Sequence, residues 1–232
     1  MKAIILAAGK GVRMLPLTLD RPKILVEVNG KPFLMHILDR LYQAGFCDND
    51  IAIVAGYKKE KIEEYLEEHN LAVTVIEQPA LLGTGDALYQ ARSFVDEEDF
   101  IALYGDNLFS VDDFVNVQRE DEYCYVMGWE VDKPEKYGVL VCKGDMLVEI
   151  VEKPKEFVGN LINAGLFKFT PDIFEALGQI ELSERGELEL TDAISLLAGG
   201  RKVKVVMLKD YWLELGKKDD ILKVEEFLKN LS

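Results

Sequence analysis

The sequence predicts an α/β fold, a mixed and mostly parallel sheet flanked by helices. Three observations carry this. Short apolar runs, Ala3 to Ala8, Ile51 to Ala55 and Phe100 to Tyr104, stop at glycine or a polar residue. They read as strands covered on both faces. Amphipathic stretches separate these runs, so strand and helix alternate four times in the first half. After about residue 120 the pattern changes to closely spaced short strands, as in antiparallel pairing.

Each element has its own signal. Phe33, Leu34, Ile37, Leu38 and Leu41 recur at helical spacing, and Gly45 ends that helix. Lys59 to His69 predicts a charged helix that buries Ile62, Tyr65 and Leu66. Val73 to Ile76 is β-branched and strand-like, Gly85 to Phe94 predicts a short helix, and Ser110 to Asp113 begins another. Tyr123 to Val131, Gly138 to Cys142, Leu147 to Glu152 and Gly165 to Thr170 predict strands, with Lys143-Gly144-Asp145 as a hairpin turn. Helices follow at Pro171 to Leu177 and Thr191 to Leu197, then a strand at Lys202 to Met207. Asp219 to Leu231 closes the chain as an amphipathic helix. No repeat or linker interrupts the 232 residues, so one domain with one continuous sheet is expected.

The chain is 49% apolar and 30% charged, which excludes disorder. No stretch reaches the roughly 18 uncharged apolar residues of a membrane span. The opening MKAIILAAGKG is too short and too early interrupted to be expected as a signal peptide. Cys47, Cys124 and Cys142 form no CxxC pair and read as reduced thiols of a cytoplasmic protein.

With 27 Lys and Arg against 42 Asp and Glu, the net charge is −15, which disfavours nucleic acid as a partner. Residues 1–31 run the other way. Lys2, Lys10, Arg13, Arg21, Lys23 and Lys31 stand against only Asp20 and Glu27. A small anion site near the start of an acidic chain accounts for this asymmetry.

The segment Leu6 to Lys23, LAAGKGVRMLPLTLDRPK, gives that site a form. A buried strand runs into Gly9-Lys10-Gly11, whose backbone can approach a phosphate chain. Arg13 and Lys23 can add charge-assisted bonds. The spacing fits neither the dinucleotide fingerprint nor the Walker A loop. Ligands of parallel sheets sit beyond the carboxyl ends of the strands, which here carry Gly9, Gln78 and Asp106. Gln78 offers one acceptor and two donors to a base edge, and Gly83-Thr84 lets backbone approach it. Asp106 ends a buried strand, where a carboxylate can hold Mg²⁺ together with triphosphate and water. His36 and His69 lack metal or catalytic partners at any recognisable spacing.

Leu6 to Lys23 resembles the signature LAAGxGxRLxPLTxxxPKxL of the sugar nucleotidyltransferases, the NDP-sugar pyrophosphorylases. Met14 stands for a common leucine, Leu25 completes the pattern, and Gly30-Lys31-Pro32 matches a usual GKP. The resemblance continues to about Lys218. It implies a Rossmann-like sheet in a single domain, 1–232, with a nucleotide-binding half (about 1–120) and a β-rich sugar-binding half (about 121–232). It implies that the backbone of Leu6, Ala7, Ala8 and Gly9 holds base and ribose, and that Gly11, Arg13 and Lys23 hold the triphosphate. The segment from Gln78 to Ala87 is similar to the base-reading loop of members using UTP or dTTP, with Asp86 where some uridylyl-transferring members carry histidine. Trp212-Leu213-Glu214-Leu215-Gly216 matches the second metal motif, with Glu214 for the usual aspartate. Tyr137-Gly138, Glu152-Lys153-Pro154 and Asn163-Ala164-Gly165 match sugar-phosphate segments, assigning Gly138, Glu152, Lys153 and Asn163.

The expected reaction is NTP plus sugar 1-phosphate giving NDP-sugar and pyrophosphate, with Mg²⁺ as cofactor and Arg13 and Lys23 as catalytic cations. A cytidylyltransferase acting on an inositol phosphate or phosphocholine, and a non-catalytic nucleotide-sugar-sensing subunit, are the alternatives. Oligomeric state is left open, a homo-oligomer included. No hexapeptide repeat occurs, so a fused acyltransferase is not expected. Asp106 and Glu214 are expected to repel each other without a cation, so that Asp106→Asn leaves the ligand-free protein at least as stable.

Overall fold

The computed structural model describes residues 1–231. Ser232, the end of the expected domain, lies outside the described residues. In chain order the elements are β1 (Lys2–Leu6), β2 (Glu27–Val28), β3 (Lys31–Pro32), α1 (Phe33–Gln43), β4 (Ile51–Ala55), α2 (Lys59–Glu68) and β5 (Thr74–Glu77). Then come α3 (Thr84–Gln90), α4 (Arg92–Val95), β6 (Phe100–Tyr104), β7 (Asn107–Phe109), α5 (Val111–Val117), β8 (Cys124–Glu130), β9 (Gly138–Lys143) and β10 (Met146–Glu152). The chain closes with β11 (Leu161–Phe169), α6 (Asp172–Leu177), α7 (Leu190–Gly199), β12 (Val203–Met207), β13 (Trp212–Glu214) and α8 (Lys218–Leu231).

Nine strands form one sheet in the order β5-β4-β1-β6-β11-β8-β12-β10-β9. The strands β5, β4, β1 and β6 are mutually parallel, and β12 is parallel to β8. Within this sheet the antiparallel pairings all involve the second half, and β2 and β3 form a separate antiparallel ribbon. There the sheet curls until β9 meets β11 again at Val139 and Ile162. Alternate residues feed two cores. Ala3 and Ile5 face the side covered by α1, α2, α5 and α8, whereas Ile4 and Leu6 face α3, α4, α6 and α7. No described helix is long and apolar enough to cross a membrane.

Three differences from the sequence expectation have local causes. The helix expected over Gly85 to Phe94 is two helices meeting at Ala91. The Ala91 N–H bonds to the Leu88 carbonyl, three residues back, which tightens the turn. The strand expected from Gly165 begins earlier, at Leu161, and its register shifts between Asn163 and Phe167. Asn163 Oδ1 accepts the Gly165 N–H at 2.9 Å, and Gly165 has φ +82°, where a Cβ would come within 2.4 Å of the Tyr104 ring. The ribbon of β7 and β13 carries no periodic signal, because each strand has only three residues.

Lys168 ties the two halves together from inside. Its side chain is 0% exposed, and its Nζ reaches Asp99 Oδ2 at 2.7 Å and donates to the carbonyls of Asp121 (2.5 Å) and Tyr123 (2.9 Å). Replacing it by Met leaves a carboxylate and two carbonyls without their donor. We expect Lys168→Met to cost about 3 kcal/mol and to lower the melting temperature by roughly 6–12 °C, read by thermal denaturation. An unchanged melting temperature contradicts this account.

Candidate active site

The register of the parallel strands builds the site. Leu6 stands beside Val54 and Tyr104, and Val54 beside Ile76, so four strands end in one row. The segments that leave that row carry the loop after β1, Gln78 and Asp106. They open into a cleft of about 1180 Å³ whose far wall comes from β9–β11, β13 and the loop before α7.

The glycine loop is pinned from within. Thr18 Oγ1 donates to the Gly11 carbonyl at 2.9 Å, and the Tyr57 hydroxyl donates to the carbonyls of Thr18 (3.0 Å) and Leu19 (2.9 Å). Arg13 sits on a single 3₁₀ turn, Val12–Met14, and Lys23 begins a second, Lys23–Leu25. Lys23 Nζ donates to Asp106 Oδ2 at 2.5 Å. Antiparallel pairing of β7 with β13 sets Glu214 opposite Asn107, and the Leu215 N–H bonds to the Asp106 carbonyl at 2.7 Å. Glu214 therefore lies on the strand next to the Asp106 segment. Burial, and then the Asp106 carboxylate, push the Glu214 carboxyl above its ordinary value, against the Tyr137 hydroxyl, Arg13 and Lys23. The Tyr137 hydroxyl donates to Glu214 Oε2 at 3.1 Å, and burial followed by that carboxylate pushes it up to about 12.

Across the cleft, Glu152 Oε1 lies between two cations, Lys153 Nζ at 3.5 Å and Arg185 Nη2 at 3.6 Å. Lys153 holds φ +45°, a strained conformation for a residue with a side chain. Gly138 packs against Glu152, where a Cβ would lie 3.0 Å from Oε2.

All sixteen residues singled out from the sequence line this one cleft. Leu6, Ala7, Ala8, Gly9, Gly11, Arg13 and Lys23 form one end. Gln78, Gly83, Thr84 and Asp106 form the floor, and Gly138, Glu152, Lys153, Asn163 and Glu214 form the other wall. Thr84 and Asn163 also hold the framework together. Thr84 Oγ1 accepts the Leu190 N–H at 3.1 Å, and Asn163 makes the bulge described above. His36 lies outside the cleft, buried, with Nε2 2.8 Å from the Val28 carbonyl, and burial lowers its pKa. Among the described residues no group of three or more His, Cys, Asp and Glu is placed to hold a metal ion. The hard-oxygen pair Asp106 and Glu214 suits a Mg²⁺ ion that takes its remaining ligands from phosphate and water.

With the cleft defined, comparison with known proteins is informative. Residues 2–230 match the nucleotidyl transferase family. The chain belongs to that family. It is 41% identical over 230 residues to the bifunctional protein GlmU of Methanocaldococcus jannaschii, covering 98% of this chain and 54% of that one. It is 37% identical over 237 residues to the UTP–glucose-1-phosphate uridylyltransferase AglF of Haloferax volcanii, covering 98% and 96%. The chain thus spans about half the length of the first curated relatives it matches. A UDP-glucose pyrophosphorylase solved with UDP-glucose shares the fold, with TM-score 0.87, 24% identity and coverage of 100% and 99%. A putative glucose-1-phosphate thymidylyltransferase from Bacillus anthracis superposes with TM-score 0.84 at 26% identity, covering 100% and 96%.

Sequence reasoning missed part of this family member's cleft. The segment before α7 contributes Arg185, Glu187 and Glu189, and the first turn of α7 contributes Thr191. The Leu188 carbonyl accepts the Gly85 N–H at 2.8 Å, and the Leu188 N–H bonds to the Leu82 carbonyl, so this segment braces the Gln78 loop. Its only signal in the sequence is a charged run, Glu184 to Glu189, ahead of an apolar helix.

The Lys23 contact corrects the expectation for Asp106. The carboxylate has a cation beside it already, and removing it strips Lys23 of that partner. We expect Asp106→Asn to destabilise the ligand-free protein by about 1 kcal/mol, the value of a partly exposed pair, measured by denaturant midpoint without metal. A higher midpoint than the parent's restores simple repulsion as the governing effect.

Proposed function

We propose that the chain is a sugar-1-phosphate nucleotidylyltransferase. It converts an NTP and a hexose 1-phosphate to an NDP-sugar and pyrophosphate, with UTP or dTTP as donor and Mg²⁺ as cofactor. The observation that carries this is the single cleft, which gathers the glycine loop, a glutamine at the end of β5, a carboxylate pair and a second cationic wall. Seven Lys and Arg residues line it against six Asp and Glu, in a protein with 27 against 42 overall. That local balance suits two phosphorylated substrates. The reading includes a single domain with a nucleotide half and a sugar half, and a cytoplasmic setting, supported by three free cysteines.

In the reaction an oxygen of the sugar phosphate attacks the α-phosphorus. The bond from that phosphorus to its β-bridging oxygen breaks, and pyrophosphate leaves with the electron pair. The attacking phosphate has a second pKa of about 6, by analogy with phosphorylated side chains, so no general base is needed at neutral pH. What remains is to align two anions and neutralise their charge. Lys153 and Arg185 flank Glu152 on the acceptor wall and steer the sugar phosphate. Arg13 and Lys23 face the leaving pyrophosphate from the glycine loop. Asp106 and Glu214 would hold the Mg²⁺, which supplies charge neutralisation on the triphosphate when bound. Lys23 exchanges its Asp106 contact for a phosphate oxygen.

Pyrophosphate release from ATP, GTP, CTP, UTP and dTTP, each with a panel of hexose 1-phosphates and with an inositol phosphate and phosphocholine, tests this reading. We expect turnover with UTP or dTTP and its loss on adding EDTA. No pyrophosphate with any pair sinks the proposal, and release only with CTP and a non-sugar phosphate favours the cytidylyl alternative. Arg13→Ala and Lys23→Ala are each expected to remove roughly 2–4 kcal/mol of transition-state stabilisation, on the scale of an oxyanion donor, with the fold intact by circular dichroism. Near-normal kcat/KM in both variants removes the glycine loop from the chemistry.

A further inference from the structure

Gln78 is 4% exposed and lines the cleft where β5 ends. Its Nε2 donates twice, to the Gly83 carbonyl at 3.0 Å and to Asp86 Oδ2 at 2.7 Å. An amide nitrogen carries two hydrogens, so both are used inside the protein. Both partners are oxygens that only accept, so the reverse amide orientation would set Oε1 against two acceptors. Oε1 itself is not among the buried side-chain atoms left without a partner, and no described donor reaches it. It is open to the cleft. Asp86 is held in turn. Its Oδ1 accepts from Gln90 Nε2 at 3.1 Å, one helical turn later on α3. The start of α3 is fixed by the Gly85 N–H on the Leu188 carbonyl.

We propose that Asp86 is a positioning residue for base selection, holding the Gln78 amide so that the cleft meets only Oε1, an acceptor. Oε1 takes the N3–H of uracil or thymine. Cytosine presents an unprotonated N3 at the same place, and two acceptors oppose each other there. An unclamped glutamine could turn its amide and serve either base. The carboxylate on α3 therefore does for Gln78 what the residue type alone does not. This inference rests on the nucleotidyl-transfer reading of the cleft and adds the residue that sets which pyrimidine is accepted.

The test compares Asp86→Leu, a near-isostere without an acceptor, with Asp86→Asn, which keeps one oxygen for Gln78 Nε2. For each protein, kcat/KM is measured with UTP and with CTP at fixed glucose 1-phosphate. Equilibrium titrations with the two nucleotides run in parallel. Asp86→Leu is expected to lower the UTP-to-CTP ratio about ten-fold, the worth of one oriented hydrogen bond. The change should fall in KM, with kcat at saturating UTP within about two-fold, again on that scale. Asp86→Asn should hold the parent's ratio. In a Gln78→Ala background, Asp86→Leu should leave the ratio where Gln78→Ala puts it, which a merely structural role for Asp86 would not produce. If Asp86→Leu melts well below the parent, Asp86→Ala is read in its place. An unchanged ratio in a folded variant lacking the acceptor overturns the proposal, as does a parent that binds CTP as well as UTP. A parent that binds UTP in preference to CTP yet releases no pyrophosphate refutes the reaction instead, and the titrations still decide the role of Asp86.

Discussion

Gly105 donates its N–H to the Leu6 carbonyl at 2.8 Å, extending the parallel ladder of β1 and β6 one step past its end. A Cβ at position 105 would come to 3.0 Å from both the Ala7 Cβ and the Leu6 oxygen, so the two chains approach this closely only with glycine there. The register behind that contact is not free to slip. Ile5 and Leu103 feed one core and Ile4 and Ala102 the other, so a one-residue shift would exchange the faces of a strand buried on both sides. The glycine loop and Asp106 must therefore leave the sheet side by side. The Lys23–Asp106 contact, between residues 83 apart in sequence, follows from the pairing of the two strands behind it.

The second half closes the cleft by a different route. The β7–β13 ribbon brings Glu214 back beside the Asp106 segment, and Tyr137 reaches it from the turn before β9, with its ring edge-on to Trp212 at 5.3 Å. The Asn163–Gly165 bulge bends β11 over Tyr104 and Asn107, and Asn107 Nδ2 donates to the Ala164 carbonyl at 3.1 Å. Apart from the Tyr137–Trp212 ring contact, each of these contacts joins a residue from the second half to the segment Tyr104 to Asn107 or to Glu214. The two walls of the cleft are thus built against one shared segment, Tyr104 to Asn107, which fixes their separation.

This division explains what could be read from the chain. The continuous runs at β1, β4 and β6 announce strands because both faces are buried, and Gly9 and Asp106 follow the ends of β1 and β6, while Gln78 follows the β-branched β5. The ribbon of β7 and β13 was invisible, since three residues show no period. The bulge in β11 was equally hidden, because it depends on a side chain bonding two residues ahead. Arg185 and Glu189 carry no signal in the sequence beyond their place in a charged run. Only the fold turns that run toward Glu152 and braces it against the Gln78 loop. Asp86 stood out in the sequence only by occupying a position where some relatives carry histidine; the fold places its two glutamine partners around it.

The unmet polarity of the molecule is concentrated where substrates would sit. Among the described residues, four buried side-chain atoms lack a hydrogen-bond partner, and three of them, Asn107 Oδ1, Thr191 Oγ1 and Trp212 Nε1, belong to residues lining the cleft. Elsewhere among the described residues only Arg119 Nε is left without a partner, and even the buried Lys168 has its carboxylate and two carbonyls. An unpaired buried group costs about 1–3 kcal/mol, and the cleft adds the half-buried Glu214, whose carboxyl is raised by desolvation and by Asp106. A chain selected only for stability would have filled these positions with apolar side chains. Their persistence at one place, while hydrogen bonding is nearly complete around them, marks a wall whose polar groups are matched by something other than the protein.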